Sequence, residues 1–402
     1  MNSNQNIPLV LAYSGGLDTS YCIKKMSQEG YDVHAVAVNT GGFDTQTLQT
    51  IQQKAMDLGA KEAVVIDALE RYYETVIQYL IYGNVLKNNT YPLSVSAERI
   101  VQALELITYA KAKGAQAIAH GSTGAGNDQV RFDLIFQVLA PEIKIITPIR
   151  DQQLTRQQEV DYLKSQGIDW AWEKAQYSIN AGLWGTSVGG AETLTSHKSL
   201  PDAAYPSPLE KETPEALELE FLQGELKGVN GKPLSPVVAM QEVQDLARTF
   251  AIGRDIHVGD TIVGIKGRVG FEAAAALVII KAHHLLEKHT LSKWQQFQKE
   301  QVGQLYGMLL HEGQYLDPVM RDMEAYLKQS QAQVSGKVFL KLHPYRFELE
   351  GITSENDLMN PEFGAYGEEN AAWTAEEAKG FIKLLSVPNR IYQQVHKSKS
   401  KT

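Results

Sequence analysis

The amino-acid sequence predicts an α/β protein made of a doubly wound parallel sheet, an α+β domain and a C-terminal helix. Between residues 1 and 170, short continuous apolar runs alternate with helical patterns, as expected when helices cover both faces of a parallel sheet. Glycines follow four of these helical patterns directly, as helix C-terminal caps do: Gly30, Gly59, Gly114 and Gly167. After residue 170, mixed strand and helix patterns predict a different kind of domain.

The first 170 residues contain five predicted strands and six predicted helices. The strands are 9–12, 33–38, 63–66, 117–119 and 143–146, and the helices are 19–29, 47–58, 68–82, 96–113, 127–139 and 155–166. Ligands bind at the carboxyl ends of the strands in sheets of this class. The segments 14–20, 39–42 and 120–126 each follow a strand, so we expect them to meet at one edge of the sheet.

Residues 171–362 are predicted as the second domain, and residues 363–402 as a C-terminal helix with its tail. Composition in 170–208 favours an ordered connection that contributes to a site, and leaves a flexible linker open. Strands at 217–221 and 262–265, helices at 239–251, 272–289, 293–311 and 318–332, and a hairpin formed by 338–342 and 345–349 follow. The last helix begins at Thr374, where Glu377 completes a capping box. It is expected either to dock on another subunit or to pack on its own domain.

Composition argues against several functional classes. The 402-residue chain is 43% hydrophobic, which is enough for two buried cores, and its net charge of −9 argues against a nucleic-acid partner. The single cysteine, Cys22, excludes an intrachain disulfide and a cysteine-based metal site. No signal-peptide pattern is present, and the longest apolar stretch, 273–280, is too short to span a bilayer. We therefore expect a cytoplasmic protein with no membrane partner.

A tight turn with two glycines links the first predicted strand to the first helix. Such a turn directs free backbone N–H groups and the positive end of the helix dipole at one point, which is how proteins hold phosphate. Gly15 and Gly16 let an anion approach the backbone, and the hydroxyls of Ser14, Thr19 and Ser20 add donors. The turn matches neither G-x-x-x-x-G-K-[ST] nor G-x-G-x-x-G. A plain turn is the alternative, and the combination favours phosphate binding.

A second glycine-rich turn, 120–126, precedes a helix that carries polar residues of both charges. Asn127 and Arg131 are four residues apart and so share a helix face, with Thr123 and Asp128 nearby. Asp128 suits an ammonium and Arg131 a carboxylate, which favours a zwitterion such as an amino acid. The alternative is that Asp128 only caps the helix and Arg131 pairs at the surface. Either Ser94 or Ser96 is expected to cap the preceding helix.

The first turn resembles the S-G-G-x-D-[ST] pyrophosphate loop of ATP pyrophosphatases. The stretches 12–20, 91–99 and 120–131, in this order, resemble the argininosuccinate synthase family, and the match resumes at Tyr177-Ser178, Ser187, 214–221 and 264–268. The resemblance implies a ligase of arginine biosynthesis that acts as a homotetramer. It also implies a two-step reaction, in which the ureido oxygen of citrulline would attack the α-phosphorus of ATP, giving citrullyl-AMP and pyrophosphate, and the amine of aspartate would then displace AMP. It implies positioning rather than covalent catalysis.

The resemblance also implies roles for individual residues. Those expected to bind ATP are Ala12, Tyr13, Ser14, Gly15, Gly16, Leu17, Asp18, Thr19, Ser20, Val38 and Gly121. Those expected to bind aspartate are Thr123, Asn127 and Asp128. Those expected to bind citrulline are Tyr91, Ser96, Asn127, Arg131, Ser178, Ser187, Asp260 and Phe271. Asp128, Arg131 and Ser178 would position the substrates, and Mg²⁺ would arrive with the phosphates without a dedicated protein metal site. Asp18 is expected to cap its helix.

Two departures from the family concern the end of the site that binds the amino-acid head of citrulline. Gly259 stands where the family has a Glu, and Phe271 where it has a Tyr. Either Asp260 or Glu272 replaces the missing carboxylate and free citrulline is the substrate, or the same chemistry acts on an N-acylated citrulline. More distant alternatives are another pyrophosphate-loop adenylating enzyme, such as one that modifies tRNA, and a non-catalytic nucleotide-binding module.

Overall fold

The N-terminal part of the molecule is a five-stranded parallel sheet with the strand order 3-2-1-4-5. The computed structural model describes residues 7–170, 177–359, 361–364, 370 and 372–397. The strands of this sheet are β1 (Ile7–Ala12), β2 (Tyr31–Asn39), β3 (Glu62–Asp67), β4 (Ala117–Ala119) and β5 (Lys144–Ile146). All five predicted strands are confirmed, with small shifts at their ends.

Helices connect these strands as the apolar periodicity predicts. They are α1 (Leu17–Gln28), α2 (Thr45–Asp57), α3 (Leu69–Tyr72), α4 (Gln78–Tyr82), α5 (Ser94–Ala112), α6 (Asp128–Leu139), α7 (Pro148–Asp151) and α8 (Arg156–Ser165). A π-helical turn, Tyr73–Ile77, joins α3 to α4. The four glycines predicted to end helices all have positive φ angles, as C-terminal caps require.

The two faces of the parallel sheet contribute to different cores. Leu9 and Leu11 pack with the apolar faces of α1, α2 and α8. Val10, between them in the sequence, enters a larger cluster that also contains residues from α4, α5 and the second part of the chain. This separation follows from the alternation of side chains along a strand. Because the larger cluster contains residues from both parts of the chain, residues 1–356 form one compact unit by their contacts.

The described residues in the second part of this unit, from 177 to 356, form two antiparallel sheets and four longer helices. Their strands are β6 (Ser178–Gly182), β7 (Gly185–Gly189), β8 (Glu215–Leu222), β9 (Glu225–Val229), β10 (Lys232–Pro233), β11 (Arg254–Asp260), β12 (Lys266–Glu272), β13 (Gly336–His343) and β14 (Arg346–Thr353). The helices are α9 (Pro236–Arg248), α10 (Ala274–Thr290), α11 (Lys293–His311) and α12 (Pro318–Ser330), with short 3-10 turns at Ala191–Leu194 and Asp202–Ala204. The sheet orders are β10-β9-β8-β13-β14 and β11-β12-β7-β6.

The strand predicted at 262–265 is wrong. This apolar run is the turn between β11 and β12, closed by a bond from the Thr261 N–H to the Ile265 carbonyl, with Gly264 at a φ of +88°. Val263 and Ile265 are half exposed or more, so the run resembles a buried strand only in composition. By contrast, the predicted ordered connection contains the β6–β7 hairpin, and its residues 171–176 lie outside the described residues.

Residues 357–402 form a second compact unit. It contains a 3-10 turn at Pro361–Phe363 and two helices, α13 (Ala375–Leu385) and α14 (Val387–Lys397), and the helix predicted to begin at Thr374 is α13, with Thr374 as its N-cap. The capping box of Thr374 and Glu377 is confirmed. No helix within the described ranges is both long and apolar enough to cross a bilayer.

Candidate active site

A cavity of about 980 Å³ opens at the carboxyl edge of the parallel sheet, by β1 and β4. Its wall includes residues from each of the three turns that follow strands, among them Ser14, Gly42 and Ser122, so their predicted meeting at one edge is confirmed. Between β1 and β4 the connections of a 3-2-1-4-5 sheet change direction, which leaves a crevice for ligands. The second part of the chain completes the wall with β6, β7, β11, β12 and the end of α11.

The glycine turn after β1 has the geometry of an anion cradle. Gly16 is the N-cap of α1 and makes no side-chain cap bond, so the first N–H groups of the helix stay available to a ligand. The hydroxyls of Ser14 and Thr19 lie 3.4 Å apart and face the cavity. Gly15 has a φ of +76°, and a Cβ there would meet the Ile51 side chain at 2.9 Å. The turn therefore requires glycine at position 15.

Two predicted members of this turn do not line the cavity: Gly15, which turns the backbone, and Ser20, which is fully buried. The predicted capping role of Asp18 is wrong, because Gly16 occupies the N-cap position and Asp18 lies in the first turn of α1. Asp18 lines the cavity and interacts with Glu159 of α8. Burial, reinforced by the negative charge of Asp18, raises the pKa of Glu159 to about 8.

The centre of the cavity wall carries a cluster of two arginines and a carboxylate. Asp128 accepts hydrogen bonds from Arg99 Nε at 2.9 Å and from Arg131 Nη1 at 3.0 Å. Although burial acts to raise the pKa of Asp128, the two guanidinium groups hold it below its ordinary value. Asp128 does not cap α6, and Arg131 is buried rather than paired at the surface, so the capping role of Asp128 and the surface pairing of Arg131 are both wrong.

Further contacts fix both arginines in place. Arg131 donates through Nε and Nη2 to the carbonyl oxygen of His311, at 3.1 and 2.9 Å. Arg99 donates to Asn180 Oδ1 at 3.1 Å and lies 3.4 Å from the carboxylate of Glu98. Both guanidinium groups thus connect the first helices of the site to the second part of the chain.

The residues predicted around citrulline lie close to this cluster. The hydroxyl of Tyr91 lies 3.2 Å from Ser94 Oγ and accepts a bond from the Val95 N–H, and Ser96 Oγ lies 3.2 Å from His311 Nδ1. The predicted capping role of Ser94 and Ser96 is wrong, since Leu93 is the N-cap of α5 and makes no side-chain cap bond. These two hydroxyls instead hold side chains of the cavity wall.

Phe271 and the two candidate replacement carboxylates, Asp260 and Glu272, have distinct surroundings. Phe271 does not line the cavity, because its ring is fully buried and packs 5.3 Å from Tyr91. Asp260 lines the cavity, but its carboxylate pairs with Lys266 Nζ at 2.6 Å and is largely exposed. The expectation for Glu272 is wrong, because this buried side chain accepts a bond from Arg254 Nε at 3.2 Å and stays off the cavity wall.

The remaining predicted residues are on the cavity wall. They are Ala12, Tyr13, Gly16, Leu17, Val38, Gly121, Thr123, Asn127, Ser178 and Ser187. Asn127 uses its side-chain oxygen to accept the Ile262 N–H at 2.8 Å, which fastens the β11–β12 turn to α6. No cluster of three or more His, Cys, Asp or Glu suited to a metal ion occurs among the described residues.

Sequence reasoning missed several polar residues of the wall, among them Arg99, Asn180, His257 and His311. Each acquires its role only through a partner distant in the sequence. The ring of His257, for example, stacks on that of Tyr91 at 5.2 Å. Arg99 was within a matched stretch, and its position one helical turn after Ser96 was the available signal.

Helix α11 brings His311 to the site along a face of small residues. A Cβ on Gly303 would lie 2.3 Å from the carbonyl oxygen of Gly83, and one on Gly307 would lie 2.4 Å from the side chain of Val85. At positions four residues apart, these glycines let α11 press against the segment after α4. His311 follows four residues later on the same face.

The sheet order, the glycine turn at its switch point and the buried ionic cluster define an ATP-using enzyme of the pyrophosphate-loop class. The model of the arginosuccinate synthase N-terminal HUP domain matches residues 8–169, and that of the arginosuccinate synthase C-terminal domain matches residues 177–392. The chain belongs to the argininosuccinate synthase family.

Curated relatives agree with this assignment over nearly the whole chain. The argininosuccinate synthase of Xanthomonas axonopodis pv. citri is 36% identical, over 97% of this chain and 95% of the relative. That of Methanocaldococcus jannaschii is 34% identical, over 97% and 99%. That of Dehalococcoides mccartyi strain 195 is 38% identical, over 96% of each.

Proposed function

We propose that this chain catalyses the ATP-dependent ligation of a citrulline to aspartate, yielding an argininosuccinate, AMP and pyrophosphate, as a cytoplasmic step of arginine biosynthesis. The observation that supports the proposal is the presence in one cavity of the glycine turn at α1 and the Arg99–Asp128–Arg131 cluster. The turn suits a polyphosphate, and the cluster offers guanidinium N–H donors and carboxylate acceptor oxygens to amino-acid substrates.

ATP is expected to bind along the turn and the neighbouring strand ends. Backbone N–H groups of Gly16 and Leu17, with the hydroxyls of Ser14 and Thr19, suit the phosphates, while Val38 and Gly121 line the cavity beside them. Hydroxyl and carboxylate oxygens also suit Mg²⁺, and Asp18 is the carboxylate of this turn. When bound with ATP, the ion supplies charge neutralisation on the phosphates.

The amino-acid substrates are expected at the other polar residues of the wall. Thr123, Asn127 and Asp128 are proposed to bind aspartate. Tyr91, Ser96, Asn127, Arg131, Ser178 and Ser187 are proposed to bind citrulline, with Asp260 at the rim and Phe271 supporting Tyr91 from behind. Asp128, Arg131 and Ser178 act by positioning. Their hydrogen bonds hold the reacting groups in place instead of forming covalent intermediates.

The proposed reaction has two displacements. The ureido oxygen of citrulline attacks the α-phosphorus of ATP, an O–P bond forms, and pyrophosphate leaves with the electron pair of the broken bond. The amine of aspartate then attacks the ureido carbon, loses a proton, and AMP leaves with the former ureido oxygen. Buried arginines near the reacting groups stabilise the negative charge that develops at each step.

Transfer of the ureido oxygen tests this sequence directly. With the citrulline substrate labelled by ¹⁸O in its ureido group, we expect the label in AMP and none in pyrophosphate. Pyrophosphate should form only when ATP and the citrulline substrate are both present. ATP binding without turnover under these conditions would favour a nucleotide-binding module instead. Labelled pyrophosphate would contradict attack at the α-phosphorus.

Domain organisation and assembly are also part of the proposal. We place a nucleotide-binding domain at 1–170, a synthetase domain at 171–362 and an oligomerisation segment at 363–402, and the two family models meet in the same region, between 169 and 177. Helices α13 and α14 expose large apolar side chains within their own unit, including Phe381, Leu384 and Ile391. Such faces support assembly, and we propose a homotetramer.

A further inference from the structure

One end of the cavity is formed by Tyr91, His257, Gly259 and His311, and we call it the head pocket. The proposed citrulline residues lead to it, because Tyr91 stacks on His257, and Ser96 and Arg131 both contact His311. If the ureido group approaches the phosphates at the α1 turn, the α-carbon of an extended citrulline points away from that turn. The head pocket then surrounds the α-nitrogen.

The carboxylates on the half of the cavity wall next to the head pocket are already paired with cationic side chains. Asp128 is held by two arginines, Asp260 by Lys266, and Glu98 lies 3.4 Å from Arg99 and accepts bonds from Thr40 and Gln102. Within the described part of the chain, every carboxylate that lines this half thus has a cationic partner. An ammonium group entering the head pocket would find no free counter-charge there.

The imidazoles of the head pocket do not supply negative charge either. His257 and His311 are both 6% exposed, and Nδ1 of His257 is fully buried with no hydrogen-bond partner among the described residues. Burial, and then the charge of Arg131, lower the pKa of His311 to about 3, and burial and nearby Lys87 lower the pKa of His257. Both rings are therefore neutral near pH 7.

At position 259 the ring of His257 takes the place of a side chain, and open space lies beside Gly267. Gly259 and Gly267 are paired across β11 and β12, and both line the cavity. A Cβ on Gly259 would lie 2.6 Å from Nε2 of His257, so the imidazole occupies the space that a side chain at 259 would need. A Cβ on Gly267 would meet nothing closer than 3.8 Å. This part of the wall combines bare backbone with a buried neutral ring.

We propose that the preferred acceptor is a citrulline whose α-nitrogen is acylated. An amide nitrogen carries no charge that needs a carboxylate, the amide group offers a hydrogen bond to Nε2 of the neutral His257 ring beside Gly259, and the open side of Gly267 leaves room for the acyl group. The free ammonium form would instead lose its hydration next to Arg131 and Lys87 without gaining a counter-ion. This inference rests on the proposed function, because it concerns the substrate of the same ligation.

Steady-state kinetics with three acceptors test the inference. Pyrophosphate release is measured with citrulline, N-acetylcitrulline and N-succinylcitrulline at saturating ATP and aspartate. We expect kcat/KM for at least one acylated acceptor to exceed that for citrulline by about tenfold or more, the size expected for one unmatched buried polar group. Equal or better use of free citrulline would overturn the inference and leave the proposed function intact. Release with none of the three would overturn the proposed function itself.

Variants of His257 test whether the head pocket sets this preference. His257→Glu places a carboxylate in the pocket and should shift the ratio of kcat/KM values at least tenfold toward free citrulline. His257→Gln keeps a neutral hydrogen-bonding group and should retain the preference for the acylated acceptor, which gives a readout if the glutamate variant does not fold. His197→Glu, at an exposed position away from the cavity wall, is the matched control. An unchanged ratio in folded His257→Glu would contradict the role of this residue.

Discussion

Replacement of Arg99 by methionine is the sharpest test of the ionic cluster. The substitution keeps much of the side-chain length and removes the guanidinium group. It leaves Asp128 with Arg131 alone and leaves Glu98, a carboxylate only 6% exposed, with hydrogen bonds from Thr40 and Gln102 but no cation. Both carboxylates then lose a charge partner that they have in the native protein.

The expected magnitude follows from these contacts. Removing one member of a buried ion pair costs about 3–5 kcal/mol, because the other charge stays buried and unpaired. Burial, opposed by Arg99, already raises the pKa of Glu98, so without Arg99 this group should take up a proton more readily and recover part of the loss. We therefore expect the free energy of unfolding to fall by about 3 kcal/mol at neutral pH.

Urea titration followed by circular dichroism measures the stability, and initial rates at varied aspartate measure the function. Because Arg99 also orients Asp128, we expect KM for aspartate to rise about tenfold, equivalent to about 1.4 kcal/mol. Arg248→Met is the matched control: this arginine is 42% exposed and pairs with Asp245 at 3.2 Å, so its loss should cost about 1 kcal/mol or less. If Arg99→Met is no less stable than Arg248→Met, the cluster does not contribute as argued.

Three further changes have definite expected outcomes. Gly15→Ala should raise KM for ATP by about tenfold, because the alanine causes backbone strain of about 1–3 kcal/mol. Gly30→Ala, at positive φ in open space and away from the cavity, is the control and should leave KM for ATP unchanged. Equal KM values in the two variants would contradict the cradle geometry. The raised pKa of Glu159 contributes stability that is present below pH 4.5, the ordinary pKa of this group, and is lost as the pH rises through about 8. Glu159→Gln should therefore flatten the decline of the urea midpoint between pH 5 and 9. A decline as steep as that of the native protein would refute this. Phe381→Glu combined with Ile391→Glu should lower the mass measured by light scattering on a size-exclusion column, and an unchanged mass would exclude these helices from the assembly.

The N-terminal sheet could be predicted because its signals are local. Each strand is a continuous apolar run, and glycines mark the helix ends. The same rule failed at 262–265, where an equally apolar run forms an exposed turn because Gly264 adopts a positive φ and the flanking residues pair with each other. Composition alone does not distinguish these cases, since exposure is decided by what packs on the run.

The site was predictable where backbone geometry defines it and unpredictable where distant side chains do. The turn at Gly16 and the spacing of Asp128 and Arg131 are visible in the sequence. The contact of Arg99 with Asn180, and that of Arg131 with the carbonyl of His311, join positions 81 and 180 residues apart. No local pattern marks such partners. For the same reason, the glycine at position 259 could be recognised from the sequence, but the imidazole of His257 that fills the space beside it could not.

The glycine face of α11 has a consequence for how changes far from the chemistry reach it. Gly303 packs on the backbone of Gly83, and His311, about 12 Å further along the helix axis, accepts hydrogen bonds from Arg131, which we propose to bind citrulline. One rigid helix therefore joins a packing contact to the proposed site. A larger side chain at position 303 would tilt helix α11 and displace His311 at its C-terminal end. Natural variation at Gly303 should therefore be as restricted as variation in the cavity wall, although nothing at that position touches a ligand.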